Sequence, residues 1–253
     1  ASRPVRTFSI GFDDPRHDEA AKARAVARHL GTDHTELYVS GADALSLVPE
    51  LPRMFDEPFA DSSQIPTALV ARLARRHVTV ALSGDGGDEL FCGYGRYTRA
   101  LRVWGWHQRT PRLLRSALLA PLGRHADREA RDSWLAQLAG ELATDSAAAI
   151  YLNRVSRWRF PGNVVRNSHE PATPFTDETL RPATTDTAHA LMYLDFVTYL
   201  PDDILAKVDR TTMAVGLEAR APLLDYRVVE FAFRLPLSMK LRDGAQKWLL
   251  KQV

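Results

Sequence analysis

A short apolar strand that runs directly into a glycine-rich acidic turn constrains the fold of this chain more than any other feature. The predicted strand covers residues 77–82 (HVTVAL), and residues 83–89 (SGDGGDE) follow it without a break. Such a run of β-branched and apolar residues is typical of a buried strand in a parallel sheet. Ligands of open parallel sheets bind beyond the carboxyl ends of the strands, which is where this turn would lie. The pattern therefore predicts an α/β fold with a ligand site at the turn.

The first part of the chain alternates strand and helix patterns ahead of this motif. Strands are predicted at residues 5–12 and 36–39, and helices at residues 18–30 and 63–76. Gly31 follows the first helix and provides a typical C-terminal stop signal. Strands separated by helices favour a parallel sheet with flanking crossover helices.

The rest of the chain shows helix patterns broken by proline- and glycine-containing turns, and no convincing strand. The predicted helices cover residues 98–119, 146–159, 188–200, 202–215 and 225–234, and the last residues, 246–253, resemble the middle of a further helix. We therefore predict two parts, an α/β part at residues 1–97 and a mainly helical part at residues 98–253.

The residue types in the turn indicate a phosphate ligand held together with a metal ion. Glycines let the backbone approach a ligand closely, and Ser83 with the N–H groups of the turn can hold an anion. The carboxylates would repel a naked phosphate, and Mg²⁺ resolves this conflict. Asp88 is the candidate Mg²⁺ ligand, and Asp85 is placed to orient a substrate. The alternative is a turn whose acids stabilise the first helical turn, and for Glu89 this is the favoured interpretation.

Composition narrows the range of partners. The chain carries 33 Lys and Arg residues against 31 Asp and Glu residues, a net charge of +2 that does not indicate a dedicated nucleic-acid binder. No apolar run approaches the roughly 18 residues that a membrane span requires. The single cysteine, Cys92, cannot form an internal disulfide and fits a reducing, cytoplasmic setting. The expected partners are therefore small molecules.

Several segments resemble one enzyme family. Residues 83–97 (SGDGGDELFCGYGRY) resemble the second nucleotide-site motif of bacterial asparagine synthetases, and residues 7–12 (TFSIGF) resemble the second sheet strand of that family. Residues 200–225 are similar to a long family signature, and the segments at 23–34 and 56–63 also match. The segments occur in family order. The resemblance implies an adenine-nucleotide hydrolase-like α/β fold of the ATP pyrophosphatase type, followed by a mainly helical region.

The resemblance also implies a two-stage reaction. A carboxylate, such as the side chain of aspartate, attacks the α-phosphate of ATP, which releases pyrophosphate and leaves an acyl-adenylate. Ammonia derived from glutamine then displaces AMP and gives an amide. The implied cofactors are ATP and Mg²⁺, the implied partner is an N-terminal glutaminase domain, and a homodimer is among the expected assemblies.

The family roles carry over to individual positions of this chain. Asp85 takes the acidic position tied to forming the acyl-adenylate, and Asp88 would help to hold Mg²⁺. The positions implied to contact the nucleotide are Ile10, through its backbone, Ser83, Gly84 and Gly86. Many asparagine synthetases carry glutamate where this chain has Asp85, which leaves the identity of the acceptor carboxylate open.

The chain also departs from the family pattern. The pyrophosphate-binding loop, Ser-Gly-Gly-x-Asp-Ser, is expected just before the strand at residues 5–12 and occurs nowhere in the sequence. The glutaminase domain and a lysine-bearing loop beyond Val253 are not found either. We therefore expect a fragment that binds ATP weakly and turns over little. Two other interpretations stay open: a non-catalytic nucleotide-binding or scaffold relative, and a tRNA-modifying ATP pyrophosphatase, which would favour paired cysteines.

Two further groups of charged residues allow more than one interpretation. Lys207 lies near Asp209 and Arg210 on a predicted helix, where it could face a phosphate or form an ion pair on a solvated face. Asp56 and Glu57 could line the acceptor pocket.

Overall fold

The computed structural model describes residues 3–13, 18–111, 114, 144, 146–156, 165, 171–184 and 186–253. Within them the chain forms two compact units. The first unit comprises residues up to 85 together with residues 201–222, and the second comprises residues 86–200 together with residues 223–253. The expected division at residue 97 concerns domains of the protein and stays a prediction.

Helices form most of the secondary structure. In chain order the α-helices are α1 (Ala20–Leu30), α2 (Gly41–Leu47), α3 (Leu51–Phe55), α4 (Gln64–Arg75), α5 (Gly87–Leu90), α6 (Gly95–Arg109), α7 (Ala147–Val155), α8 (Thr187–Val197), α9 (Ala206–Met213), α10 (Tyr226–Arg234) and α11 (Leu237–Lys240). Short 3-10 turns cover Val48–Glu50, Glu178–Leu180, Pro222–Leu224 and Leu249–Lys251, and a π-helical segment, Leu200–Leu205, precedes α9. The helices of the described residues all fall short of the length and hydropathy that a membrane span requires.

The first unit contains two pairs of parallel strands, which confirms the predicted α/β class. Strand β1 (Arg6–Phe12) pairs with β2 (Asp33–Val39), and α1 connects them. Strand β3 (Val80–Leu82) pairs with β4 (Glu218–Arg220). The predicted stop at Gly31 is confirmed, because this residue ends α1 in the left-handed conformation, with φ 64°.

An apolar cluster holds the strands of the first unit against α4. Phe8 of β1 and Ala81 of β3 pack with Ala71 and Ala74 of α4 and with Leu217, which precedes β4. Small alanine side chains on α4 allow the helix to lie close to the strands. The carboxyl end of β3 is thereby held in a defined place, and the predicted ligand turn begins there.

The second unit is built mainly from helices. Residues of α6, α7 and α8 form its main core, and the largest fully buried side chains there include Tyr97, Tyr151, Ile150, Leu191 and Met192. A second cluster places Leu90 and Phe91 against Ala232 of α10. A two-residue hairpin, β5 (Leu241–Arg242) with β6 (Ala245–Gln246), lies near the end of the chain.

Two expectations for the second half of the sequence are wrong. Strands do occur beyond residue 97, and β4 escaped notice because it has only three residues, two of them charged. The end of the chain is not the middle of an α-helix, since β6 and the 3-10 turn Leu249–Lys251 occupy it. The predicted helices at 98–119 and 146–159 are confirmed as α6 and α7, except for their last residues, most of which lie outside the described part of the chain.

Candidate functional site

The turn after β3 begins where the sequence predicted it. The Ser83 N–H donates to the Arg220 carbonyl oxygen at 2.8 Å, which continues the ladder between β3 and β4 by one residue. The Ser83 hydroxyl donates to Oδ2 of Asp85 at 2.7 Å. A Cβ added to Gly84 would meet no atom within 4 Å, so the backbone between these two side chains borders open space. The first unit therefore has a hydroxyl and a carboxylate, joined by a hydrogen bond, at the carboxyl end of a parallel strand.

Gly86 is required by packing. Its φ of 86° lies in the left-handed region, and an added Cβ would lie 2.3 Å from Cδ2 of Leu224. Both facts exclude a larger residue without a local shift. Gly86 thus allows the chain to enter α5, and its contact with a nucleotide stays a prediction.

Asp88 of the second unit forms an ion pair that the sequence did not reveal. Its Oδ1 lies 2.9 Å from Nζ of Lys247, and the Asp88 side chain is 33% exposed. The neighbouring Glu89 is buried and accepts a hydrogen bond from the Tyr94 hydroxyl. Burial raises the pKa of Glu89, although the hydrogen bond from Tyr94 opposes this. Of the two acids in α5, Asp88 is therefore accessible to solvent and Glu89 is not.

The side chains around Asp88 fit a Mg²⁺ site that is shared with phosphate groups, and they do not fit a site built from side chains alone. No group of three or more His, Cys, Asp or Glu side chains among the described residues could hold a metal ion. Mg²⁺ is commonly held by one or two carboxylates together with phosphate oxygens and waters. Asp88 suits an ion shared with the phosphates of a nucleotide, and it does not suit an ion held by side chains alone.

Lys207 lies in a buried ion pair of the first unit. Its Nζ donates to Oδ2 of Asp61 at 2.5 Å and to Oγ of Ser63 at 2.6 Å, and the Lys207 and Asp61 side chains are only 8% and 14% exposed. The alternative of an ion pair on a solvated helix face is therefore wrong. Arg210, one turn further along α9, pairs instead with Asp56 on the surface at 3.1 Å.

Ile10 lies within β1, where it faces Leu37 of β2 in the parallel register. Its side chain is half-buried. The contact of its backbone with the nucleotide base stays a prediction, as does any contact of Lys207 with a phosphate.

Comparison with known proteins identifies the family. The family model described as asparagine synthase matches residues 1–253. The chain belongs to the asparagine synthase family. It is 31% identical to asparagine synthetase [glutamine-hydrolyzing] 1 of Bacillus subtilis and 33% identical to a putative asparagine synthetase [glutamine-hydrolyzing] of Mycobacterium tuberculosis, over 98% and 97% of this chain.

These alignments take in only part of the relatives. The chain spans 39% of the Bacillus protein and 38% of the Mycobacterium protein. A shorter alignment with a putative asparagine synthetase [glutamine-hydrolyzing] 2 of Methanocaldococcus jannaschii is 39% identical over 44% of this chain. The resemblance noted in the sequence is thereby confirmed at the level of the family.

The sequence analysis missed Lys247, the residue that pairs with the candidate Mg²⁺ ligand Asp88. Lys247 has a φ of 52° and directly follows β6, and its N–H donates to the Phe91 carbonyl oxygen. The signal that could have revealed it is Asp243-Gly244, because an Asp-Gly pair favours a tight hairpin. The two residues have φ of 52° and 80°, as such a turn requires.

Removal of the Lys207 ammonium is expected to destabilise the first unit of the chain. We predict that Lys207→Met lowers the free energy of unfolding by about 3 kcal/mol, because Asp61 is left charged and nearly buried. Urea denaturation of the intact protein, followed by circular dichroism, measures the effect. Arg210→Met is the matched control, since it removes an exposed pair from the same helix and should cost far less.

The ion pair between Lys207 and Asp61 also makes the stability of the folded protein depend on pH in a defined direction. Burial alone would raise the pKa of Asp61, but the hydrogen bonds from Lys207 and Ser63 outweigh it and hold that pKa below its usual value. The stabilisation is therefore fully present above the unfolded pKa, about 3.9, and is lost as the pH falls through the lower folded pKa. Lys207→Met should remove this part of the acid sensitivity, and an unchanged acid transition would contradict the assignment.

Proposed function

We propose that this chain is the ATP-dependent synthetase part of an asparagine synthetase-type amidotransferase. In this proposal it activates a carboxylate, such as the side chain of aspartate, as an acyl-adenylate and passes the acyl group to ammonia. The observation that carries the proposal is the joined Ser83 and Asp85 pair at the carboxyl end of β3. Membership of the family and the adenine-nucleotide hydrolase-like arrangement expected for it support the same conclusion.

The chemistry explains why such a site needs few reactive side chains. A carboxylate is a poor acylating agent until one of its oxygens belongs to a good leaving group, and attack on the α-phosphate of ATP supplies AMP as that group. The protein then has to position the reactants and stabilise charge. Ser83 and the backbone of Gly84 would bind the nucleotide, and Asp85, fixed by the Ser83 hydroxyl, would orient the reacting intermediate.

Asp88 and Lys247 would help to bind the phosphate groups of the nucleotide and to neutralise their charge. When bound, Mg²⁺ neutralises charge on the pyrophosphate group, and Asp88 would hold the ion. The Lys247 ammonium lies 2.9 Å from the same carboxylate. If Asp88 held a Mg²⁺ ion, Lys247 would be available to contact a phosphate oxygen. We assign to Lys247 this second, charge-neutralising role.

The competing functions are separated by one assay. The intact protein that carries this chain is incubated with ATP, Mg²⁺ and ammonia, with and without aspartate, and AMP, pyrophosphate and asparagine are measured. We expect AMP and pyrophosphate in equal amounts, and only when an acceptor carboxylate is present. If ATP binds but aspartate yields no AMP, the acceptor is another carboxylate. If ATP does not bind, the non-catalytic relative is the better account. A tRNA-modifying enzyme lacks support, because Cys92 is the only cysteine and is buried.

A further inference from the structure

The orientation of the Asp88 side chain depends on the turn that follows α5. The Gly93 N–H donates to the Asp88 carbonyl oxygen at 2.8 Å. A Cβ added to Gly93 would lie 1.8 Å from Oδ1 of Asp88, so the turn passes directly against this carboxylate. Cys92 adopts a φ of 57° to make the turn possible. The backbone at Gly93 and the Lys247 ammonium therefore both lie against Oδ1 of Asp88.

Glu89, which is buried, also stabilises the turn around Gly93. Its side chain is 1% exposed, and its Oε1 accepts a hydrogen bond of 2.8 Å from the Tyr94 hydroxyl. This bond closes a loop around Gly93, because Glu89 lies before that residue and Tyr94 after it. Helix α5 has only four residues, and so short a helix does not hold its own geometry in water. The hydrogen bond between the Tyr94 and Glu89 side chains therefore stabilises the geometry that the short helix does not hold by itself.

Tyr94 is itself held by a buried charged network. The guanidinium carbon of Arg96 lies 3.8 Å from the centre of the Tyr94 ring. Arg96 also donates to Oδ2 of Asp195 at 2.7 Å and to the Tyr151 hydroxyl at 2.6 Å. Asp195 on α8 is fully buried. Arg96 thereby links the Tyr94 ring to α7 and α8, which contribute to the main core of the second unit.

We propose that Glu89 and Tyr94 are positioning residues that hold the Asp88 carboxylate for a magnesium–nucleotide ligand, an inference that rests on the proposed function. Neither residue touches the ligand. Glu89 is adjacent to Asp88 but points into the core, and Tyr94 keeps it there. The sequence pattern suggested only that Glu89 stabilises a helix end, and the buried contact with Tyr94 gives it this more specific task.

The test compares three substitutions in the intact protein. Tyr94→Phe removes the hydroxyl donor, whereas Glu89→Gln keeps an oxygen that can accept from Tyr94. Ile150→Val, in the same core but outside the network, is the control for general loosening. Two quantities are measured: amide hydrogen exchange at Gly93, and the Mg²⁺ concentration that gives half-maximal ATP binding.

The expected results differ among the variants. Tyr94→Phe should speed exchange at Gly93 and raise the required Mg²⁺ concentration about tenfold, the range seen when supporting contacts of metal ligands are removed. Glu89→Gln should change both measurements less than Tyr94→Phe does, because it keeps an acceptor for the Tyr94 hydroxyl. Ile150→Val should stay close to the unchanged protein in both measurements. Equal changes in Tyr94→Phe and Ile150→Val would overturn the proposal, as would faster Gly93 exchange without any change in the Mg²⁺ requirement.

Failure of the proposed function would be recognised separately. In that case the unchanged protein binds no ATP at any Mg²⁺ concentration, and the ligand named in the proposal is wrong. Exchange at Gly93 does not depend on a ligand, so it still decides whether Tyr94 and Glu89 hold the turn. Slow exchange that Tyr94→Phe leaves unaltered would show that they do not.

Discussion

Replacement of Asp85 by asparagine is expected to lower the rate of aspartate-dependent pyrophosphate release by about 10²–10³-fold, a loss typical of removing one preorganised electrostatic contact. An asparagine oxygen can still accept the hydrogen bond that Ser83 donates to Asp85 at 2.7 Å. The local geometry should therefore survive while the negative charge is lost. The free energy of unfolding should change little, and the effect should fall on the reaction rate.

The measurement is initial-rate release of pyrophosphate by the intact protein at saturating ATP. Asp33→Asn is the matched control, because it removes the same charge from an exposed position of the first unit. That control should retain the full rate. An Asp85→Asn protein with more than half of the normal rate would show that Asp85 does not take part in forming the acyl-adenylate.

The largest effect on stability is expected at Asp195. Its Oδ2 accepts hydrogen bonds from Arg96 at 2.7 Å, from the Tyr97 hydroxyl at 2.7 Å and from the Tyr151 hydroxyl at 2.5 Å. Asp195→Asn removes the charge that balances the mostly buried Arg96 guanidinium. We expect the free energy of unfolding to fall by about 3–5 kcal/mol, because an uncompensated charge is then left inside the second unit.

A single hydroxyl of the same network provides the comparison. Tyr97→Phe removes one donor and keeps the ion pair, so it should cost only about 1 kcal/mol. Both variants are measured by urea denaturation of the intact protein. If Asp195→Asn proves no less stable than Tyr97→Phe, the ion pair does not organise the core of the second unit.

Local patterns predicted the elements that carry the candidate site. The β-branched run before Ser83 predicted β3 and the turn, although β3 covers only Val80–Leu82 and both of its ends are exposed rather than buried. The helical spacing before Gly31 predicted α1 and its end. These signals lie within a few residues of one another, so a single segment contains enough information to specify them. The same reasoning placed Ser83 and Asp85 at the end of a parallel strand.

Contacts between distant parts of the chain were not predictable in this way. The pair of Lys207 with Asp61 joins residues 146 positions apart, and β4 exists only because it meets β3. Nothing in the three residues of β4 distinguishes it from a charged loop. Glu89 illustrates the same limit. An acid at the start of a helix is usually a surface residue, whereas Glu89 is buried and accepts a hydrogen bond from Tyr94.

The transfer of oxygen from the acceptor to AMP tests the central claim most directly. The intact protein is given ATP, Mg²⁺, ammonia and aspartate whose side-chain carboxylate carries ¹⁸O, and AMP is analysed by mass spectrometry. The account predicts AMP with one labelled oxygen, because the attacking carboxylate oxygen leaves with AMP when ammonia displaces it. Unlabelled AMP, or ADP as the only nucleotide product, would contradict the assignment of this chain to acyl-adenylate chemistry.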